Sequence, residues 1–157
     1  MKIQIISPGK TKQDFIRQGE LFYLKKISHY LPIELVTVRE EPLAEGKNNH
    51  AAVAAESARI EQKLFPDRQH IVVLERHGQS CSSLDLAMLC KQKMLHGTKE
   101  MVFVIGGTLG CSVSLIARAH HLFSLSALTF THELSRLLLL EQLYRAMTII
   151  KGEKYHK

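Results

Sequence analysis

Short apolar runs recur along this chain with helix-period stretches between them, and that rhythm leaves few folds open. The segments "KIQII" (Lys2 to Ile6), "IELVTV" (Ile33 to Val38), "HIVVL" (His70 to Leu74) and "MVFVI" (Met101 to Ile105) read as strands. The last two are almost continuously apolar, the pattern of central strands covered on both faces. A fifth, weaker strand is expected in "SALTF" (Ser126 to Phe130). Between them the period lengthens, predicting helices over Asp14 to Ser28, Asn49 to Leu64 and from Ser82 or Ser83 to about His96. Ser112 or Ser114 caps another, running through "LIARAHHLF", and Thr131 caps a last one reaching Ile150. Strands alternating with helices predict an α/β fold, a mainly parallel sheet with helices on both faces. No internal repeat, low-complexity segment or linker interrupts residues 1–157, so a single domain is expected. The longest polar break, Arg39 to His50, reads as a surface loop.

The final helix does not fit one amphipathic stripe. Leu137, Leu138, Leu139, Leu140, Leu143, Ala146 and Met147 surround its axis, which implies burial on every side. Central core and a subunit interface both satisfy that, the second most simply as a symmetric dimer.

Composition narrows the chemistry. Lys and Arg number 21 against 15 Asp and Glu, a formal charge of +6 that favours an anionic partner and permits nucleic acid. Lys10, Lys12, Arg17, Lys25 and Lys26 concentrate some of this excess near the start, as a solvated face or a docking surface. The 3 cysteines, with no C-x-x-C, fit a reducing compartment. The 9 histidines are scattered without H-E-x-x-H or paired Cys/His spacing, so no metal is expected. No secretory leader and no run long enough to span a membrane is present, predicting a cytoplasmic protein without membrane association.

Ligands of open parallel sheets bind beyond the carboxyl ends of the strands. Three segments qualify: "ERHGQS" after Leu74, "GGTLGCS" after Ile105, and "LSLSALTFTH" around the fifth expected strand. The glycine pattern G-G-x-x-G is neither a Walker loop nor a dinucleotide fingerprint, and there is no G-x-S-x-G elbow for hydrolysis. Cys111 reads as a small buried side chain rather than a nucleophile. His132 and Arg136, four apart, share a helix face, either as a polar cluster near ligand or RNA or as a capping or interface pair. Arg145 suits RNA phosphate and an ion pair with Glu141 equally. The chain ends "KGEKYHK"; composition alone makes this a fraying basic end.

Taken in order, "MVFVIGG" (Met101 to Gly107), Gly110, "LSALTFTHELSR" (Leu125 to Arg136), "EQLYRA" (Glu141 to Ala146) and terminal "YHK" resemble the ribosomal RNA large subunit methyltransferase H family, minimal members of the SPOUT superfamily. The resemblance implies a C-terminal deep trefoil knot, a homodimer and S-adenosylmethionine as methyl donor, with no metal and no DNA partner. It implies methylation at N3 of a pseudouridine in the helix 69 loop of 23S rRNA, within the assembled ribosome. By position, cofactor contacts fall on Leu74, Gly106, Leu125, Ser126, Ala127, Leu128, Thr129 and Phe130. Tyr155, His156 and Lys157 become the catalytic tail, and His132, Arg136, Arg145 and Lys154 the RNA-facing residues. Departures are Thr108-Leu109, where relatives carry a small residue or Pro and then a polar one, and Gln79, which replaces a common Lys. Two rivals stand beside this expectation: a dimeric α/β protein that binds an adenine-containing ligand without chemistry, and a SPOUT enzyme acting on tRNA.

Overall fold

Apolar side chains alternate along the inner strands between two buried layers, and this alternation places every other element. The computed structural model describes residues 1–42 and 49–155. Within them run β1 (Lys2–Pro8), α1 (Asp14–Ser28), β2 (Ile33–Val38), α2 (His50–Glu61), β3 (Gln69–Ser80), α3 (Ser83–Leu95), β4 (Glu100–Ile105), α4 (Val113–Ile116), β5 (His121–Ser124) and α5 (His132–Lys151). Half of the polar break expected from Arg39 to His50, residues 43–48, lies outside the described residues. The 5-stranded sheet has the order β2-β1-β4-β3-β5, with every pairing parallel.

Ile3, Ile5, Val72, Met101, Phe103 and Ile105 join one layer with residues of α1, α3 and α5. Ile6, Ile71, Val73, Val102 and Val104 join the other with Ile60, Leu64 and Leu115, the last from α4. Each such burial is worth roughly 1.5–3 kcal/mol. A one-residue slip of any inner strand would exchange its layers, so register is fixed by the same residues that supply the core.

Helix ends follow local chemistry. Ser82 Oγ accepts from the Asp85 N–H while the Asp85 carboxylate accepts from the Ser82 N–H at 2.9 Å, a capping box opening α3. Thr131 Oγ1 accepts from the Leu134 N–H at 3.2 Å, starting α5 where the sequence predicts. Helix α5 lies between α1 and α3. Leu139, Leu140, Leu143, Ala146 and Met147 enter the core, while Leu134, Leu137 and Leu138 remain half-buried.

Three boundaries differ from expectation. The fifth strand is His121–Ser124, not Ser126–Phe130, because Val72, Val73 and Leu74 of β3 offer His121, Leu122 and Phe123 a parallel partner. The helix expected through "LIARAHHLF" therefore stops at Ile116. And β3 continues past Leu74 into the expected loop, with a bulge between Leu74 and Gln79, both of which pair with Phe123. Gly78 makes that return feasible: a Cβ there would sit 2.8 Å from the Leu122 carbonyl carbon.

The strand swap also builds a histidine cluster at the far end of the sheet. His70 is 8 % exposed, its ring 4.9 Å from His120 and 5.0 Å from His121. Burial, reinforced by Lys93 and the two neighbouring rings, lowers the His70 pKa to about 4. The unfolded chain takes up this proton near pH 6.5, the folded one only near 4. Stability from this site is therefore complete above about pH 6.5 and declines as pH falls toward 4. We expect the urea midpoint to drop across that window, and His70→Leu to flatten the drop.

Candidate functional site

The bulge of β3 after Leu74 and the carboxyl ends of β4 and β5, with the starts of α1 and α5, border a cavity of about 750 Å³. Its apolar wall includes Leu74, Ile105, Phe123, Leu125, Leu128 and Phe130. Its backbone-rich rim is the loop from Gly106 to Gly110. That loop folds tightly: Gly110 donates its N–H to the Gly107 carbonyl at 3.0 Å. A Cβ on Gly106 would lie 2.6 Å from the Gly110 carbonyl carbon, so only glycine permits this curl.

The segment after β5 is held by its own serines. Ser124 Oγ donates to the Ser126 carbonyl at 3.1 Å, and Ser126 Oγ accepts from the Leu128 N–H at 3.0 Å. These turn bonds replace the ladder expected of a strand and aim residues 125–130 at the cavity. On the opposite wall, Gln13 and Ile16 arrive through the β1–α1 connection. Glu133 holds that connection, accepting from the N–H groups of Lys12 at 3.2 Å and Gln13 at 3.3 Å.

Leu74, Gly106, Leu125, Ser126, Leu128, Thr129 and Phe130 all line this one cavity, and His132 joins them; Ala127 does not line it and is exposed. His132 Nε2 is buried and has no hydrogen-bond partner among the described residues. Arg136, expected to face ligand or RNA, is instead 1 % exposed. Its guanidinium donates to Glu20 Oε1 at 2.6 Å, Ser7 Oγ at 2.6 Å, the Gly9 carbonyl at 3.3 Å and Thr11 Oγ1. One turn beyond His132, it points beneath the β1–α1 connection rather than outward.

Arg145 pairs with Glu141 at 2.6 Å, the ion-pair alternative of the sequence reading. Lys154 is exposed and does not line this cavity. Tyr155 packs edge-on against Tyr144, ring centroids 4.8 Å apart, away from the cavity. His156 and Lys157 lie outside the described residues. Burial, with Glu75 and Glu56 nearby, pushes the Cys111 thiol up to about 12 and leaves it unreactive.

Sequence reasoning chose the loop after Leu74 without assigning its cation. Arg76 is the one Lys or Arg on the cavity wall among the described residues, and its nearest side-chain partner is the His77 ring at 3.2 Å. Its one signal in the sequence is position, two residues past Leu74, where the strand is expected to end. Also among the described residues, no group of three or more His, Cys, Asp or Glu side chains is arranged to hold a metal ion. No helix there is long and apolar enough to cross a membrane.

A family model described as "Predicted SPOUT methyltransferase" matches residues 1–156. A ribosomal RNA large subunit methyltransferase H from Symbiobacterium thermophilum is 39% identical, with 100% of both chains covered. A protein of the same name from Geotalea daltonii is 41% identical over 99% of each chain. Among solved structures, a probable methyltransferase from Bordetella pertussis aligns with a TM-score of 0.58 at 17% identity, covering 93% of this chain and 96% of that one. The tRNA (m1G37) methyltransferase of Aquifex aeolicus aligns with a TM-score of 0.56 at 9% identity, covering 100% of this chain and 74% of its own. These two likenesses are of fold.

Proposed function

The chain belongs to the SPOUT methyltransferases, and within them to the ribosomal RNA large subunit methyltransferase H family; from that premise we propose that it methylates 23S rRNA with S-adenosylmethionine. The acceptor is N3 of a pseudouridine in the helix 69 loop, presented by the assembled ribosome in the cytoplasm. One observation carries the reading. The residues that the family resemblance assigns to the donor, Ala127 excepted, converge on one cavity of about 750 Å³.

The cavity suits that donor. Its volume lies within the roughly 300–1,000 Å³ usual for small-ligand sites. Leu74, Ile105, Phe123, Leu125, Leu128 and Phe130 offer apolar faces to a flat heterocycle, and the Gly106 and 125–130 backbones offer hydrogen bonds along its edge. When bound, S-adenosylmethionine supplies a methyl group already activated by its sulfonium. The chain's task is then to position the acceptor and make it nucleophilic. An imide N3–H must lose its proton, and the resulting charge spreads over two carbonyl oxygens. His156 is suited to accept or relay the proton, Tyr155 to orient the base, and Lys157 with Arg76 to stabilise charge.

Tyr155, the last described residue, does not line the cavity of its own chain. His132 lines that cavity, but Tyr155 rests on Tyr144, twelve residues along α5 and so roughly 18 Å farther down the helix axis. The tail therefore serves a second copy, and the protein acts as a homodimer. An exposed apolar stripe supports this pairing. Phe15 and Phe22 flank Gly19 on one face of α1, and Gly19 abuts Leu137 of α5. The family's deep trefoil knot within a single domain belongs to the same reading. It is supported by the return of α5 from edge strand β5 to a place between α1 and α3.

Transfer of labelled methyl from S-adenosylmethionine tests the proposal, with ribosomes lacking this modification, isolated subunits, naked rRNA and tRNA compared. Label on whole ribosomes, mapped to that pseudouridine, is expected. Label entering tRNA instead, or bound donor with no transfer to any RNA, would overturn it.

A further inference from the structure

At the far end of α5, one carboxylate gathers the groups that hold the chain's end. Glu141 Oε1 accepts from Arg145 Nη2 at 2.6 Å, from Arg145 Nε at 3.1 Å and from the Tyr155 hydroxyl at 3.2 Å. The Arg145 guanidinium lies over the Tyr155 ring, 4.8 Å from its centroid, and Tyr144 supports the same ring edge-on. The other oxygen, Oε2, accepts from Gln142 Nε2 at 2.6 Å. The Gln142 carbonyl oxygen accepts in turn from Ser83 Oγ at 2.6 Å, which ties the group to the start of α3. Just before the tail, the Tyr30 hydroxyl donates to Glu153 Oε2 at 2.6 Å.

We propose that Glu141 is a positioning residue for methyl transfer: its carboxylate clamps Arg145 and Tyr155 together and thereby fixes the place of the Tyr155 ring. This rests on the reading above that the tail acts in the transfer. An ordinary ion pair four residues apart on a helix needs no third partner and contributes little when exposed. Here the third partner lies 14 positions along the chain, past the helix end. Tyr155 is 39 % exposed yet held at its tip by Glu141, on one face by Arg145 and at its edge by Tyr144. Contacts at three points fix a ring's plane as well as its position. Burial, followed by the neighbouring Tyr23 hydroxyl and the Glu141 carboxylate, raises the Tyr155 pKa above its ordinary value, so the phenol stays protonated at working pH.

The clamp has a readout independent of activity. Trypsin cuts after lysine, so cleavage between Lys154 and Tyr155, followed by mass spectrometry on the full-length protein, reports how often the tail opens. Glu141→Ala is expected to speed this cleavage about tenfold, since ends lacking their contacts open at little cost. It is expected to lower kcat by about 10–100-fold while KM for the donor stays put, as misplacement of a catalytic group by an ångström does. Tyr155→Phe should share part of the defect. Glu141→Ala combined with Tyr155→Phe should be no worse than Glu141→Ala alone, the signature of one interaction removed twice. Glu141→Gln, which keeps an acceptor for the phenol but not the ion pair, should fall between and guards against a misfolded alanine variant.

Unchanged cleavage in Glu141→Ala would reduce the cluster to a surface ion pair. Faster cleavage with unchanged kcat would overturn the positioning role. A wild-type protein that moves no methyl to any RNA fails the functional reading instead, and the proteolysis arm still decides the clamp by itself.

Discussion

Deleting Tyr155, His156 and Lys157 is expected to lower methyl transfer to ribosomes by about 10²–10⁴-fold, the usual contribution of a positioned acid or base. Fold and donor affinity should survive. Tyr155 is exposed, it rests on Tyr144 and Arg145 of α5 beside Tyr23 of α1, and it does not line the cavity described above. Losing such contacts costs on the order of 1 kcal/mol or less. Calorimetric binding of S-adenosylmethionine and the urea midpoint are the controls, and single-turnover transfer is the readout. Mixing sharpens the test. A truncated chain retains its cavity, whereas a Gly106→Val chain retains its tail. Neither should be active alone, and co-folded mixtures should recover activity if the tail of one copy serves the cavity of the other. Full transfer by the truncated protein would return the tail to the fraying end that composition suggests.

How far the sequence discloses this molecule depends on whether a feature is written locally. Strands β1 to β4 are apolar runs separated by helix-period stretches, so "MVFVI" and "THELSR" announce their elements unaided. Strand β5 is not written that way. Its four residues follow a one-turn helix, and they become a strand only because Val72, Val73 and Leu74 present an open parallel edge. Conversely, "SALTF" has strand composition, yet Ser124 and Ser126 turn it into a braced loop. The three loops proposed from sheet geometry do converge, because the carboxyl edge of a parallel sheet is a topological consequence of the strand order. What the sequence withholds is distance. Nothing in "EQLYRA" or "YHK" says that Tyr155 docks beside Glu141 rather than at the cavity, or that Arg136 turns inward while His132, on the same helix face, lines the wall.

That inward turn leads to the other large effect. Arg136→Met should destabilise the protein by about 3–5 kcal/mol, the cost of leaving one member of a buried ion pair without its partner. Glu20 is also buried, and it faces Arg136 Nε at 2.6 Å while accepting from Thr11 Oγ1 at 2.7 Å. Removing the guanidinium strands that carboxylate and frees Ser7 and the Gly9 carbonyl together. Arg136→Lys should recover little, because one ammonium cannot satisfy acceptors spread across a planar fork. Glu20→Gln combined with Arg136→Met should recover part of the loss by removing the orphaned charge. The urea midpoint should shift with an unchanged slope, since the unfolded surface is the same. Function should follow structure here. The network pins the β1–α1 connection that brings Gln13 and Ile16 to the cavity, so Arg136→Lys is expected to weaken donor binding without touching the donor. If Arg136→Met instead unfolds at the wild-type urea concentration and loses only ribosome affinity, with a shallower salt dependence, then Arg136 faces RNA and the buried network is not what holds this loop.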